Sequence, residues 1–427
     1  MSLIGRMQSL MGGRMVRDIR GTMLIALLGR ICHFFAFVYA ARCLGDSLGE
    51  SSEALGWAQY LQFILTLGLD IVAVRHLAAK SVSFEQLVPR IFTSRLVIYG
   101  VCSSCWILGL FFLQLPWLEF QLWLAAILNL MTLGMNFQWV FQGKERMPIF
   151  TMIQAMISFG ILLCFVLFLK PGTQAGADLW VMGMCQLFVT TGSWIYIKMH
   201  YKVALYAKKW WRDIGVYILE GLPNWIFGLL YNTLITIGML SLKKLSAGEG
   251  KFSNHDDAYA TLYRLALAVH FILAFVGSVI YTRIVIWKNE RSDFFFRVGL
   301  VCFGVISSGF VVCSIIHWVH PILYPFLFKK EVFLPAAPYM SWMLFGRFVG
   351  LTSGILVWGM LAHHRDWRAV QCALFPVVAS VLLHFILVPQ YGMTATVFLN
   401  LGGELGLLIC CLIGFMGLRK SAGTSNQ

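Results

Sequence analysis

Apolar residues dominate this chain in runs of about twenty, the length that crosses a bilayer core as a helix, and short polar stretches punctuate the runs. The pattern predicts helices near 17–42, 54–78, 88–114, 118–142, 147–170 and 178–201. A second set follows near 213–242, 258–283, 294–318, 335–361, 367–389 and 391–417. The expected fold is therefore all-α, a polytopic membrane protein of about twelve transmembrane helices in two six-helix lobes with a central cavity.

Basic residues orient these spans. Arg6, Arg14, Arg17 and Arg20 precede the first helix, and Lys80, Arg90, Lys144 and Arg146 fill the next even gaps. Lysines and arginines recur between helices six and seven, eight and nine, and ten and eleven, then in the tail at Arg419 and Lys420. The odd gaps are short, acidic or neutral, as in "LPWLE" and "PQYG". Positive residues stay on the cytoplasmic side, so both termini are expected there. The segment "KKLSAGEGKFSNHDDA" reads as an outer linker; its "GEGK" lacks the spacing of a phosphate-binding loop.

Composition agrees with the pattern. The chain is 59% hydrophobic and 12% charged, against about 25% charged in a soluble domain. A formal charge of +14 would suggest nucleic acid in a soluble protein; in this setting it reads as topogenic, and no nucleic acid is expected. "MSLIGRMQSLMGGRMVRDIR" is basic and broken by glycines, so the first helix is expected to be retained as a span and not cleaved as a signal peptide. Most of the eleven cysteines lie inside apolar runs and read as small hydrophobes. Cys102 and Cys105 have metal or redox spacing in "CSSC", but no second pair completes a site.

The basic stretch "KMHYKVALYAKKWWRDI" divides the chain into an N-terminal lobe, 1–205, and a C-terminal lobe, 206–427. "RDIR" at Arg17 and "RDIG" at Arg212 open the first helix of each half. Six spans return the chain to the same side, so the halves would have parallel topology, a plan found in transporters.

Three stretches add a family likeness. "ARCLG", "ALGWAQYLQFILTLGLDIVAVRHLA" and "NFQWVFQGKERM", all within about the first 150 residues, resemble the polysaccharide-transporter branch of the multidrug/oligosaccharidyl-lipid/polysaccharide exporter superfamily, which includes O-antigen-type flippases. The "AHHRDW" turn and the helix number extend the likeness to the second half. "DSLGESSEALG" departs from it as a longer outer turn. The resemblance implies two lobes around a cavity exposed alternately to the two faces, no enzymatic activity and no cofactor. It also implies an undecaprenyl-diphosphate-linked oligosaccharide as substrate. Membrane lipids, a coupling proton or sodium ion, and polysaccharide polymerase machinery are the other partners it suggests.

Charges inside the apolar runs are the candidate chemistry, because each costs roughly 2.5–3.5 kcal/mol at mid-helix on insertion scales. Arg30, Arg264 and Arg347 are assigned to substrate, since guanidinium binds a diphosphate bidentately; a buried pair with Glu404 is the alternative for Arg30, and snorkelling that for Arg264. Glu404, in "LGGELG", either pairs with a neighbouring basic group or exchanges a proton or sodium ion. Glu220 and Asn224 flank Pro223, where the helix is expected to kink, and are coupling or gating candidates. Asp70 and Arg75 share helix two. Arg75 is expected to reach lipid phosphates at its cytoplasmic end, and Asp70 to pair with a basic residue at a cytoplasmic helix end and help close an inner gate. His270 reads as structural and His363 and His364 as topogenic.

Two other functions compete with the flippase. A cation-coupled multidrug exporter of the same superfamily would present carboxylates and aromatics to a lipophilic cation, and Asp70, Glu220 and Glu404 suit it. A membrane-embedded enzyme of polysaccharide synthesis would need converging polar groups, and the chain carries no nucleophile, metal or nucleotide motif.

Overall fold

The computed structural model describes residues 13–44, 48–79, 81–144, 146–204, 206–207, 211–246, 255–290, 293–327 and 331–424. Among these every regular element is helical. In chain order they are α1 (Gly13–Leu44), α2 (Leu48–Thr66), α3 (Leu69–Ala79), α4 (Phe84–Phe112), α5 (Trp117–Gly134), α6 (Gln138–Gly143) and α7 (Met147–Phe168). Then come α8 (Ala177–Tyr201), α9 (Trp211–Ser246), α10 (His255–Glu290), α11 (Phe294–Leu327), a 3-10 segment Glu331–Tyr339, α12 (Met340–Ala362) and α13 (Asp366–Thr424).

Nine helices among the described residues are long and apolar enough to cross a membrane, and α2 with α3 makes a tenth as a broken span. α13 joins two helices across a kink at Gly392 (φ 56°), which corresponds to the expected spans 367–389 and 391–417. With those arms counted separately and α8 added, all twelve expected spans are helical.

The chain forms two compact units, Gly21–Trp225 and Ile226–Gln427 with the N-terminal residues. The division falls inside α9. In the first unit, Ala54, Ala58, Tyr99, Ala125, Ala126, Leu130 and Leu179 make one core cluster. Alanines at these positions let α2, α5 and α8 approach closely, the packing that replaces the hydrophobic drive within lipid. Ala36, Ala40, Ile157, Ile161 and Phe165 join α1 to α7 in a second cluster. In the second unit α12 is the central helix, contacting α10, α11 and α13; 83% of its span is buried. The lipid-facing character sits on its neighbours, where Phe303, Phe310 and Trp318 of α11 are exposed.

One expectation about helix shape is corrected. Helix two is not continuous: it breaks between Thr66 and Leu69 with a bend of 51°. Leu67 and Gly68 have φ of 47° and 70°. Backbone contact forces the break to carry glycine, since a β carbon on Gly68 would lie 2.3 Å from the Gly221 carbonyl oxygen of α9. Trp225 of α9 also donates its indole N–H to the Ile64 carbonyl over 2.9 Å, using one of the carbonyls that α2 leaves outside its own ladder. Conversely, α9 runs helical through Pro223. A proline is tolerated within a membrane helix when packed neighbours hold the backbone, and α9 is held here by its contacts at Gly221 and Trp225.

Candidate functional site

Within each unit, buried charged residues of different helices meet in ion pairs. In the first unit the helix break sets the geometry. Asp70 falls in the first turn of α3, where the helix dipole favours an acid. It pairs with Arg95 of α4, which is 2% exposed. Arg95 also donates to the carbonyls of Gly134 and Asn136 at 3.3 and 3.4 Å, and its guanidinium lies 5.9 Å from the Trp139 ring. Asp70 thus has a basic partner as expected, but that partner is eleven positions into α4 (Phe84–Phe112), not at a helix end. The break redirects α3 so that its first turn meets the middle of α4.

Arg75 points elsewhere. It is buried and its Nη1 lies 3.3 Å from Glu220 Oε1, so it does not extend to lipid phosphates as expected; a carboxylate within reach holds it inside. His76 Nε2 meets the other oxygen of Glu220 at 2.9 Å, and its Nδ1 lies 2.7 Å from the Ser81 hydroxyl. Since a carboxylate only accepts, Nε2 carries the proton. Asn224, one turn further along α9, is buried, and neither amide atom has a hydrogen-bond partner among the described residues. Arg30, in α1, is partly buried.

In the second unit Arg347 of α12 and Glu404 of α13 form an ion pair, Nη1 to Oε1, at 3.4 Å. Their side chains are 2% and 3% exposed. The basic partner of Glu404 is thus Arg347. Glu404 Oε2 and Arg347 Nε have no hydrogen-bond partner among the described residues. Gly350, three residues along α12, makes room for this arrangement: a β carbon there would lie 2.4 Å from the Tyr231 hydroxyl and 2.7 Å from Glu404 Oε2. One turn before Glu404, Asn400 donates to the Tyr259 hydroxyl over 2.7 Å, while its Oδ1 is unpartnered. His270 of α10 lies beside Tyr231, ring centroids 6.2 Å apart. The side chain of Arg264 lies outside the described residues.

Four helices of this unit therefore direct Tyr231, Tyr259, Arg347, Asn400 and Glu404 into one buried polar cluster. A carboxylate with one oxygen committed to arginine and one open can take up a proton or a small cation at the open oxygen, weakening its hold on Arg347. Among the described residues, no group of three or more histidines, cysteines or acids is placed to hold a metal. Sequence reasoning found Arg347 and Glu404 but missed Arg95, His76, Tyr231, Tyr259 and Asn400. Arg95 stands in "FTSRLVIYG", as apolar a setting as that of Arg30, and the same rule would have found it.

Comparison of the sequence with protein-family models and with curated proteins gives no match. Comparison of the structure does. A variant of the Vibrio cholerae MATE transporter VcmN aligns over 96% of this chain and 98% of its own, with TM-score 0.69 and 13% identity. The outward-facing conformation of a multidrug resistance MATE family transporter of the MOP superfamily aligns over 99% of both chains, with TM-score 0.69 and 14% identity. A MOP superfamily transporter from Pyrococcus furiosus, whose binding pocket is described as having reverse polarity, aligns over 99% of this chain and 98% of its own at TM-score 0.69 and 13% identity. The chain has the two-lobe fold of MATE transporters, and at these identities the likeness is one of fold.

Proposed function

We propose that this chain is a membrane transporter that works by alternating access, exporting an organic, cationic or amphipathic cargo in exchange for a proton or sodium ion taken up at Glu404. The observation that carries the reading is the buried Arg347–Glu404 pair with its open carboxylate oxygen, set in a fold shared with a multidrug resistance MATE family transporter. The anionic-cargo reading loses one of its supports in the same pair: Arg347 is committed to Glu404 and shielded, so its charge is neutralised within the lobe. Asp70, Arg75 and Glu220 fit gating better than cargo binding, each having an oppositely charged neighbour.

A second reading, a flippase for an undecaprenyl-diphosphate-linked oligosaccharide in a bacterial cytoplasmic membrane, is supported by the stretches "ARCLG", "GLDIVAVRHLA" and "NFQWVFQGKERM" and by Arg30 within α1. Its physical task is moving a polar headgroup through hydrocarbon, which a wet passage makes feasible. Sealed proteoliposomes separate the two. A fluorescent organic cation that moves only under an imposed sodium or proton gradient, and no longer in Glu404→Gln, supports the exporter. Gradient-independent appearance of a lipid-linked oligosaccharide at the opposite face, read by an impermeant glycan-cleaving enzyme and lost in Arg30→Ala, overturns it in favour of the flippase.

A further inference from the structure

Besides the ion pairs, sulfur atoms from three helical segments meet in the second unit. Cys372 lies near the start of α13 and Cys411 near its far end, and the two arms of α13 that separate at Gly392 place the two thiols beside one another. Gly414, one turn beyond Cys411 on the same face, faces the other sulfurs directly: a β carbon there would lie 2.7 Å from Cys372 Sγ and 3.3 Å from Met360 Sδ, the latter from α12. Met360 and Cys411 are fully buried and Cys372 is 9% exposed.

We infer that Cys372, Cys411 and Met360 form a binding site for a soft monovalent metal ion of the copper(I) or silver(I) class. Thiol and thioether sulfur are the donors such ions select, and Cys372 Sγ and Met360 Sδ both face Gly414, one turn from Cys411. The chemistry suits the apolar surroundings. A metal ion of charge +1 entering as one thiol releases its proton to the medium leaves a neutral site, with the second thiol and the thioether donating lone pairs. A neutral site avoids the cost of an uncompensated buried charge. Arg368, one turn before Cys372, packs its Nη2 against Gly417, the next turn of the same face as Gly414. The cysteines at 372 and 411 would then be more than the small hydrophobes that their apolar settings imply.

The test uses the full chain purified in mild detergent and silver(I), which binds as copper(I) does without redox chemistry. Native mass spectrometry in the presence of a competing chelator should show one tightly held silver ion that disappears in Cys372→Ser and in Met360→Leu. The second change conserves volume and so keeps the packing. X-ray absorption at the silver edge should show sulfur neighbours alone. Equal silver content in the native chain and both variants, or oxygen or nitrogen neighbours at the silver edge, would show that these thiols merely pack.

Discussion

The Arg347–Glu404 pair makes the most demanding prediction. At 3.4 Å and an effective dielectric of about 20, two unit charges attract by about 5 kcal/mol. Burial on both sides costs several kcal/mol per ion, so the pair's net worth is small while each charge alone is expensive. Glu404→Gln should leave Arg347 buried and uncompensated, destabilising the fold by about 3–5 kcal/mol, and Arg347→Met should do the same to Glu404. The combined variant Arg347→Met with Glu404→Gln removes both charges and keeps most of the volume, and should cost less than the two single losses added together. Reversible unfolding of the purified protein in mixed detergent and SDS micelles, followed by tryptophan fluorescence, measures all four proteins in a double-mutant cycle. Losses that simply add in the combined variant would refute the reasoning, because independent effects mean that the two residues do not neutralise one another.

Three other expectations follow from single contacts. Gly68→Ala should destabilise by more than about 2 kcal/mol, since it combines a φ of 70° with a β carbon 2.3 Å from a backbone oxygen that cannot step aside; Gly56→Ala, which meets nothing within 4 Å, is the control, and monodisperse yield on gel filtration reads both. Asp70→Asn should cost about 1–3 kcal/mol, less than the Arg347–Glu404 singles because Asp70 is 40% exposed, with SDS unfolding as the measure. His363 lies in the turn after α12, where burial first, then Lys288 and His364, push its pKa below the ordinary value of 6.5. The folded chain therefore prefers the neutral imidazole, and its contribution is fully present above pH 6.5 and declines as pH falls through that value towards the depressed one. A melting temperature that drops between about pH 7.5 and 5.5 in the native chain, and drops less in His363→Gln, checks the sign.

How much of this was legible in the sequence depends on the distance over which each feature is decided. The helices were readable because a membrane span is a local property, about twenty apolar residues in a row, and each expected span from 17–42 to 391–417 has its helix. The break at Leu67–Gly68 was not, although "LTLGLD" shows its glycine, because it is fixed by contact with Gly221 more than 150 residues away. The cost of burying charge located Arg347, Glu404, Asp70, Arg75 and Glu220, since that cost is also local. Their partners were not readable, because Arg347 and Glu404 meet across a helix pair and Asp70 meets Arg95 only through the broken span. Uncharged polar residues such as Tyr231 and Asn400 leave no mark in an apolar run, and only the fold draws them to the carboxylate. In both units the same pressure has acted. An arginine placed within hydrocarbon is tolerated first by finding a carboxylate, so in a bundle of this kind an intramembrane arginine predicts a partner in its own lobe before it predicts an anionic cargo.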